Sequence, residues 1–167
     1  MPMTNIPQPH ILPVDESLRL RRFDGEYGFA LDWYQDAETT RLVDGEPDHY
    51  SPNRLKRMYE YLDAHGELYF IEVQENDIWK PIGDVTFWSD DMPIVIGDPA
   101  YRGRGLGRKV VTTLIQRAKS LGFSRLGVGE IYDFNEGSRR CFEACGFRAV
   151  EKIENGHRYE LILEGYV

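Results

Sequence analysis

Cysteine is nearly absent. The chain of 167 residues holds two, Cys141 and Cys145, at a spacing that matches neither a zinc site nor a Cys-x-x-Cys motif and excludes a disulfide framework. On one helix they read as buried thiols of a protein working in a reducing cytoplasm. The four histidines, His10, His49, His65 and His157, are scattered, so no metal is expected. Nothing approaches the ~20 apolar residues of a membrane span. Met1-Pro2-Met3-Thr4 opens no secretory leader. Positive charge is in deficit, 20 basic against 28 acidic residues for a net −8; this excludes nucleic acid as the main partner and suits a cationic small molecule. What is present is ordinary: 41% apolar and 29% charged residues make a globular domain that buries about 70% of its extended surface. No repeat or linker divides it, and either a monomer or a homodimer is compatible with this composition.

Residues 1–13 hold four of the nine prolines and little periodicity, and read as an arm ahead of a domain over 14–167. Leu18-Arg19-Leu20-Arg21-Arg22-Phe23 alternates apolar and basic, the period of a half-buried strand, and Asp24-Gly25 stops it. Tyr27, Ala30, Leu31 and Tyr34 then recur at helical spacing. After a connector around Gly45-Glu46-Pro47, Ser51 is an N-cap and Pro52 the first residue of a second helix carrying Leu55, Met58, Tyr59 and Leu62. Leu68 to Val73 and Trp79 to Trp88 form a hairpin turned at Glu75-Asn76-Asp77, and Pro93 to Ile96 is a short strand. Val110, Leu114, Ala118 and Leu121 stripe a third helix, widened by Val111 and Ile115 and closed by Gly122. Arg125 to Tyr132 is a strand reached by this helical crossover, so it is expected parallel to the strand before it. Asn135 to Ser138 opens a helix with Cys141, Phe142 and Cys145. A last hairpin, Phe147 to Ile153 and Arg158 to Leu163, turns at Asn155-Gly156.

One stretch reverses the local charge. Arg102-Gly103-Arg104-Gly105-Leu106-Gly107-Arg108-Lys109 carries four bases and no acid between a strand and a helix. Its glycines permit a tight turn whose N–H groups approach a ligand, and a helix start adds unsatisfied donors and partial positive charge, so a phosphate or pyrophosphate fits. A dinucleotide fingerprint would need a third glycine where Arg108 stands. A P-loop would need a second glycine and a Lys-Ser/Thr pair that Arg108-Lys109-Val110 does not supply. The remaining reading is an Arg/Gln-x-x-Gly-x-Gly/Ala turn, met by Arg102 to Gly107.

That turn closely resembles the acetyl-CoA pyrophosphate loop of the GNAT N-acetyltransferases. The element order β-α-α-β-β-β-α-β-α-β-β and the downstream Asn135-x-x-Ser138 with Gly146-Phe147 match the same family from about Leu18 to Leu163. The resemblance implies an α/β (α+β) GNAT acyl-CoA N-acyltransferase fold: a mixed central sheet of about six or seven strands, splayed at its centre, with about four helices. It implies acetyl-CoA as co-substrate and no metal. The backbone of Arg102, Gly103, Arg104, Gly105, Leu106 and Gly107 would bind the pyrophosphate, with charge from Arg102, Arg104 and Arg108. Ile96 and Asp98 would meet the pantetheine amides, and Asn135 with Ser138 the pantetheine or the adjacent backbone.

Many relatives place a tyrosine seven residues after this asparagine as acid for the departing thiolate; here Phe142 stands there. The pattern is closer to the ribosomal-protein N-acetyltransferase-like and aminoglycoside 6′-acetyltransferase-like branches. The attacking amine must first lose a proton, which calls for a carboxylate near the cleft. Glu130, late in its strand and five residues before Asn135, is the first candidate, and Asp91 and Asp84 follow. Residues 24–50 hold eight acids against the single base Arg41, a solvated face or a surface that attracts amines. The expected activity is therefore acetyl transfer to a primary amine of a cationic, aminoglycoside- or polyamine-like molecule by direct attack in a ternary complex. N-terminal acetylation of a ribosomal or other protein, and a non-catalytic acyl-CoA-binding module, are the alternatives.

Overall fold

The computed structural model describes residues 6–163. Its strands are β1 (Ile11–Asp15), β2 (Leu18–Arg22), β3 (Glu67–Glu75), β4 (Ile78–Phe87), β5 (Ile94–Ile96), β6 (Arg125–Tyr132), β7 (Arg148–Ile153) and β8 (Gly156–Ile162). Its helices are α1 (Leu31–Gln35), α2 (Ala37–Asp44), α3 (Pro52–His65), α4 (Leu106–Ser120) and α5 (Glu136–Ala144). The chain forms two compact units. The first runs to Thr86 and takes in Ile94–Arg102; the second comprises Phe87–Pro93 and the chain from Gly103 onward.

In the first unit the strand order is β1-β2-β3-β4-β5. The alternation in β2 has a physical partner on each face. Leu18 and Leu20 lie opposite Val73 and Ile71, and all four are buried. Arg19 and Arg21 fall on the other face, where their Nε groups each donate to Glu72 at 2.8 Å. Asn76 and Asp77, at φ 52° and 63°, turn β3 into β4 with the positive angles of a two-residue hairpin loop. Beneath the helices, Ala30, Trp33, Tyr34, Tyr50, Leu55, Tyr59, Leu68 and Phe70 form one largely aromatic core. Ser51 caps α3 as expected, accepting from the Arg54 N–H.

The expected arm of residues 1–13 is shorter than its prolines imply. Ile11–Asp15 is a strand, antiparallel to β2, because Pro13 sits on an edge strand where a missing N–H is tolerated. Residues 1–5 of that arm lie outside the described residues. Helix α2 is a further addition: the Asp36 carboxylate accepts the Thr39 N–H at 2.9 Å and starts a helix ahead of the connector at Gly45-Glu46-Pro47.

The second unit holds α4, α5 and a sheet of order β6-β8-β7. Val110, Val111, Leu114, Ile115 and Ala118 of α4 are buried as the stripe requires. Gly122, at φ 81°, ends the helix, with the Phe123 N–H returning to the Ala118 carbonyl at 3.0 Å. The last hairpin turns at Glu154 and Asn155, one residue earlier than expected, because Gly156 already pairs with Ile153 and with Tyr132. The α/β architecture stands, with eight strands in place of six or seven. Strand β6 does not pair with β5: it pairs antiparallel with β8, and each of β5 and β6 is the edge strand of its own sheet.

Candidate functional site

In the first unit, β5 runs into a 3-10 turn, Pro99–Tyr101, capped by Asp98, whose carboxylate accepts the Ala100 N–H at 3.0 Å and pairs with Lys80 at 3.1 Å. Arg102 then folds back. Its Nε donates to the Ile96 carbonyl at 2.9 Å and its Nη2 to Thr39 Oγ1 at 2.7 Å. Two groups expected to face a cofactor are thus joined to each other, the Arg102 guanidinium and the Ile96 carbonyl. Their positions explain the strand end rather than added surface charge.

Asp84, on β4, is buried beneath α1 and α3. Its Oδ2 accepts from Tyr34 Oη at 2.7 Å and Tyr59 Oη at 2.9 Å. Burial pushes its carboxyl up to about 6, against the two hydrogen bonds, which favour the ionised form. The same burial and the nearby Asp84 charge raise both phenols. The two tyrosines count in the sequence only as members of apolar stripes, and their hydroxyl partners lie on a distant strand. The acidic stretch is largely engaged. Asp24 bonds Arg21, Asp36 caps α2, Glu38 pairs with Arg41, and Asp44 and Asp48 hold Arg54. Glu26, Asp32 and Glu46 remain exposed.

In the second unit the turn is built by two glycines in the left-handed region, Gly103 at φ 72° and Gly105 at φ 75°. A Cβ on either would meet nothing within 4 Å, so it is conformation and not space that requires glycine here. Gly105 is the N-cap of α4 and offers no side-chain acceptor. The first-turn N–H groups, of Leu106, Gly107 and Arg108, therefore have no side-chain cap, and the side chains of Arg104, Arg108 and Lys109 nearby in the chain are exposed. This donor set fits a diphosphate.

Asn135 is the N-cap of α5, its Oδ1 accepting the Ser138 N–H at 3.1 Å. The Asn-x-x-Ser motif thus has a local structural job. Phe142, 1% exposed, packs edge-on against Phe147 at 5.1 Å. The thiols are not poised to react. Burial pushes Cys141 up to about 12 and also raises Cys145, whose Sγ lies 3.8 Å from Thr112 Oγ1 and 3.7 Å from the Arg108 carbonyl. Glu130 is exposed on β6, where the register shifts between Val128 and Ile131. Asp91 is half-buried against the same strand, its Oδ1 accepting the Gly129 N–H at 2.9 Å; burial raises its carboxyl. Among the described residues there is no cluster of metal-ligating side chains, and no helix is long and apolar enough to cross a membrane.

A glycine turn feeds a helix without a side-chain cap, and a strand and an Asn-capped helix follow, the arrangement that the resemblance to the GNAT acyltransferases implies. The model of the acetyltransferase (GNAT) family matches residues 30–147, and the chain belongs to that family as an N-acetyltransferase. No curated protein matches the sequence. Among solved structures, the fold is similar to spermidine N-acetyltransferase from Vibrio cholerae in complex with CoA and spermine. That match has TM-score 0.69 and 18% identity, and covers 91% of this chain and 99% of the other. It is also similar to the aminoglycoside acetyltransferase AAC(6′)-Ib in complex with coenzyme A (TM-score 0.73, 14% identity, 90% and 97% covered). A third is the Salmonella typhimurium acetyltransferase that modifies the N-terminal serine of ribosomal protein L7/L12 (TM-score 0.68, 16% identity, 92% and 99% covered).

Proposed function

We propose that the protein transfers the acetyl group of acetyl-CoA to a primary amine of a cationic small molecule. The observation that carries the donor is the start of α4, where two left-handed glycines leave the first-turn N–H groups uncapped beside exposed bases. Acetyl-CoA supplies an acyl group activated as a thioester. The N–H groups of Leu106, Gly107 and Arg108 hold its pyrophosphate, and Arg104 and Arg108 add charge.

Glu130 takes the proton from the substrate ammonium, leaving the nitrogen lone pair free to attack the thioester carbonyl carbon. Its exposure on β6 gives an incoming amine access. As the tetrahedral adduct collapses, the C–S bond breaks and the nitrogen sheds its second proton; Phe142 has no proton to give, so water carries that proton to the departing thiolate. No cysteine forms a covalent intermediate, since both thiols are held protonated by burial. The cationic acceptor is supported by the net charge of −8 and by the exposed Glu26, Asp32 and Glu46, which pair with no base among the described residues. Two of the similar structures are of enzymes named for polycationic amine substrates.

The test is thiol release from acetyl-CoA with spermidine, an aminoglycoside, glutamate and a peptide bearing a free N-terminus. Turnover of the polycations well above glutamate is expected. Faster turnover of the peptide would replace the small-molecule acceptor by a protein N-terminus. Acetyl-CoA binding with no thiol release for any amine would replace the enzyme by a binding module.

A further inference from the structure

Strand β6 contains two glycines, Gly127 and Gly129, in positions where glycine weakens a strand. The structure gives the reason. The segment Ser89–Asp91 runs along the edge of β6 that faces away from β8. The Gly127 N–H donates to the Ser89 carbonyl at 2.8 Å. A Cβ at Gly127 would lie 3.1 Å from the Asp90 carbonyl oxygen, and one at Gly129 would touch the Asp91 carboxylate at 3.5 Å. The segment therefore crowds Gly127, while at Gly129 a Cβ would make only ordinary contact.

Two residues further on, the main-chain ladder stops. The Gly129 N–H, the next donor on that edge, is met by a side-chain oxygen, Asp91 Oδ1, at 2.9 Å. The Asp91 carboxylate also accepts the N–H of Met92, itself buried. It is therefore held from two sides. On the opposite edge, β6 advances from Val128 to Ile131 while β8 advances only from Tyr159 to His157. The extra residue is a β-bulge at Gly129-Glu130, and a bulge re-aims the side chains that flank it. The N–H that Asp91 holds is the one at the bulge.

We propose that Asp91 is a positioning residue: by accepting the Gly129 N–H it fixes the β6 bulge from which Glu130 projects. This rests on the reading of Glu130 as the base. The part assigned to Asp91 is to hold the strand through Oδ1, and not to take the substrate proton. A neutral acceptor of the same shape serves as well as a carboxylate, whereas a base must be able to ionise.

The experiment compares Asp91→Asn, Asp91→Ala, Glu130→Gln and the double variant Asp91→Ala/Glu130→Gln in the full chain. It reads kcat and KM for amine and acetyl-CoA, together with NMR hydrogen exchange of the Gly129 amide. In Asp91→Ala, Gly129 exchange rises at least about tenfold as its bond opens. There kcat falls about ten- to a hundredfold through misplacement of the base, with KM for acetyl-CoA within about twofold. Asp91→Asn restores both to within about threefold. The double variant is no slower than Glu130→Gln alone, because both changes act through one group.

Asp91→Asn as slow as Asp91→Ala with Gly129 still protected would overturn the proposal and make Asp91 a charge-dependent group. Unchanged kcat in Asp91→Ala would also overturn it. Normal activity of Glu130→Gln would instead remove the base assignment, while the Gly129 exchange in Asp91→Ala still reports the bulge. If Asp91→Ala does not fold, Asp91→Ser, too short to reach Gly129, takes its place with the same expected outcomes.

Discussion

Arg102 donates its Nε–H to the carbonyl of Ile96 at 2.9 Å, and its Nη2 reaches Thr39 at 2.7 Å. The arginine at the head of the proposed anion-binding turn is thus part of the scaffold. Arg102→Gln should lower unfolding stability by about 1–3 kcal/mol, because it removes the donor to the Ile96 carbonyl and to the buried Thr39 hydroxyl. Arg108→Gln should leave stability within about 0.5 kcal/mol. It should weaken CoA binding about tenfold, a loss of about 1.4 kcal/mol, less so at high salt. Urea unfolding and CoA titration at two ionic strengths check the pair. Equal effects on both quantities from both variants would contradict this division.

Gly105 sits at φ 75° with empty space around it. Gly105→Val should cost roughly 1–2 kcal/mol of stability, the penalty of a β-branched residue in the left-handed region, and leave the fold intact. Relief of that strain by rotating φ re-aims the first-turn N–H groups of α4. CoA affinity should therefore be lost while circular dichroism is unchanged; retained affinity would remove the turn as the pyrophosphate site.

Asp84 titrates at about 6 in the folded chain, raised by burial from an ordinary 3.8. A raised carboxyl stabilises the fold most when protonated. Its contribution is complete below pH ~4 and is lost as pH rises through 6, about 2–3 kcal/mol in all. Asp84→Asn, which still accepts from Tyr34 and Tyr59, removes this dependence. The stability of Asp84→Asn relative to the parent should rise by about that amount between pH 4 and pH 7. Parallel pH profiles from chemical denaturation would contradict it.

Phe142 occupies the place of a family tyrosine as a packing residue, 1% exposed against Phe147. Phe142→Leu should lower stability by about 1 kcal/mol, with turnover within about threefold of the parent. Phe142→Ala should cost about 3–5 kcal/mol through the cavity it leaves. A large fall in kcat for Phe142→Leu at unchanged stability would assign the ring a catalytic part.

The parts of the molecule that were legible in the sequence are those whose cause is local. Gly103 and Gly105 announce their turn because no other residue takes those angles cheaply. Ser51-Pro52 and Gly122 mark helix ends by their own chemistry, and the α4 stripe is periodic. Asp36-x-x-Thr39 is a local cap signal that its acidic surroundings disguise. The remainder was hidden because its partners are remote. Tyr34 and Tyr59 meet Asp84 across 50 and 25 residues, and nothing beside a tyrosine says where its hydroxyl goes. Asp91 meets Gly129 across 38. The unusual pair Gly127 and Gly129 was the available hint that another segment lies against β6. The crossover helix before β6 says nothing of that strand's neighbours, which are β8 on one edge and Ser89–Asp91 on the other.

That last contact has a consequence for cutting the chain. A fragment beginning at Gly103 would contain α4, α5 and all three strands of its sheet, yet it would lack the seven residues Phe87–Pro93 that belong to the same unit. The N–H groups of Gly127 and Gly129 would then have no acceptor, leaving an open strand edge ready to pair with another copy. No single cut separates the two units, because Ile94–Arg102, with β5 paired to β4, lies in the chain between Phe87–Pro93 and Gly103. In a ribosome-bound nascent chain, Ser89 must wait for Gly127 to emerge before its carbonyl finds its donor.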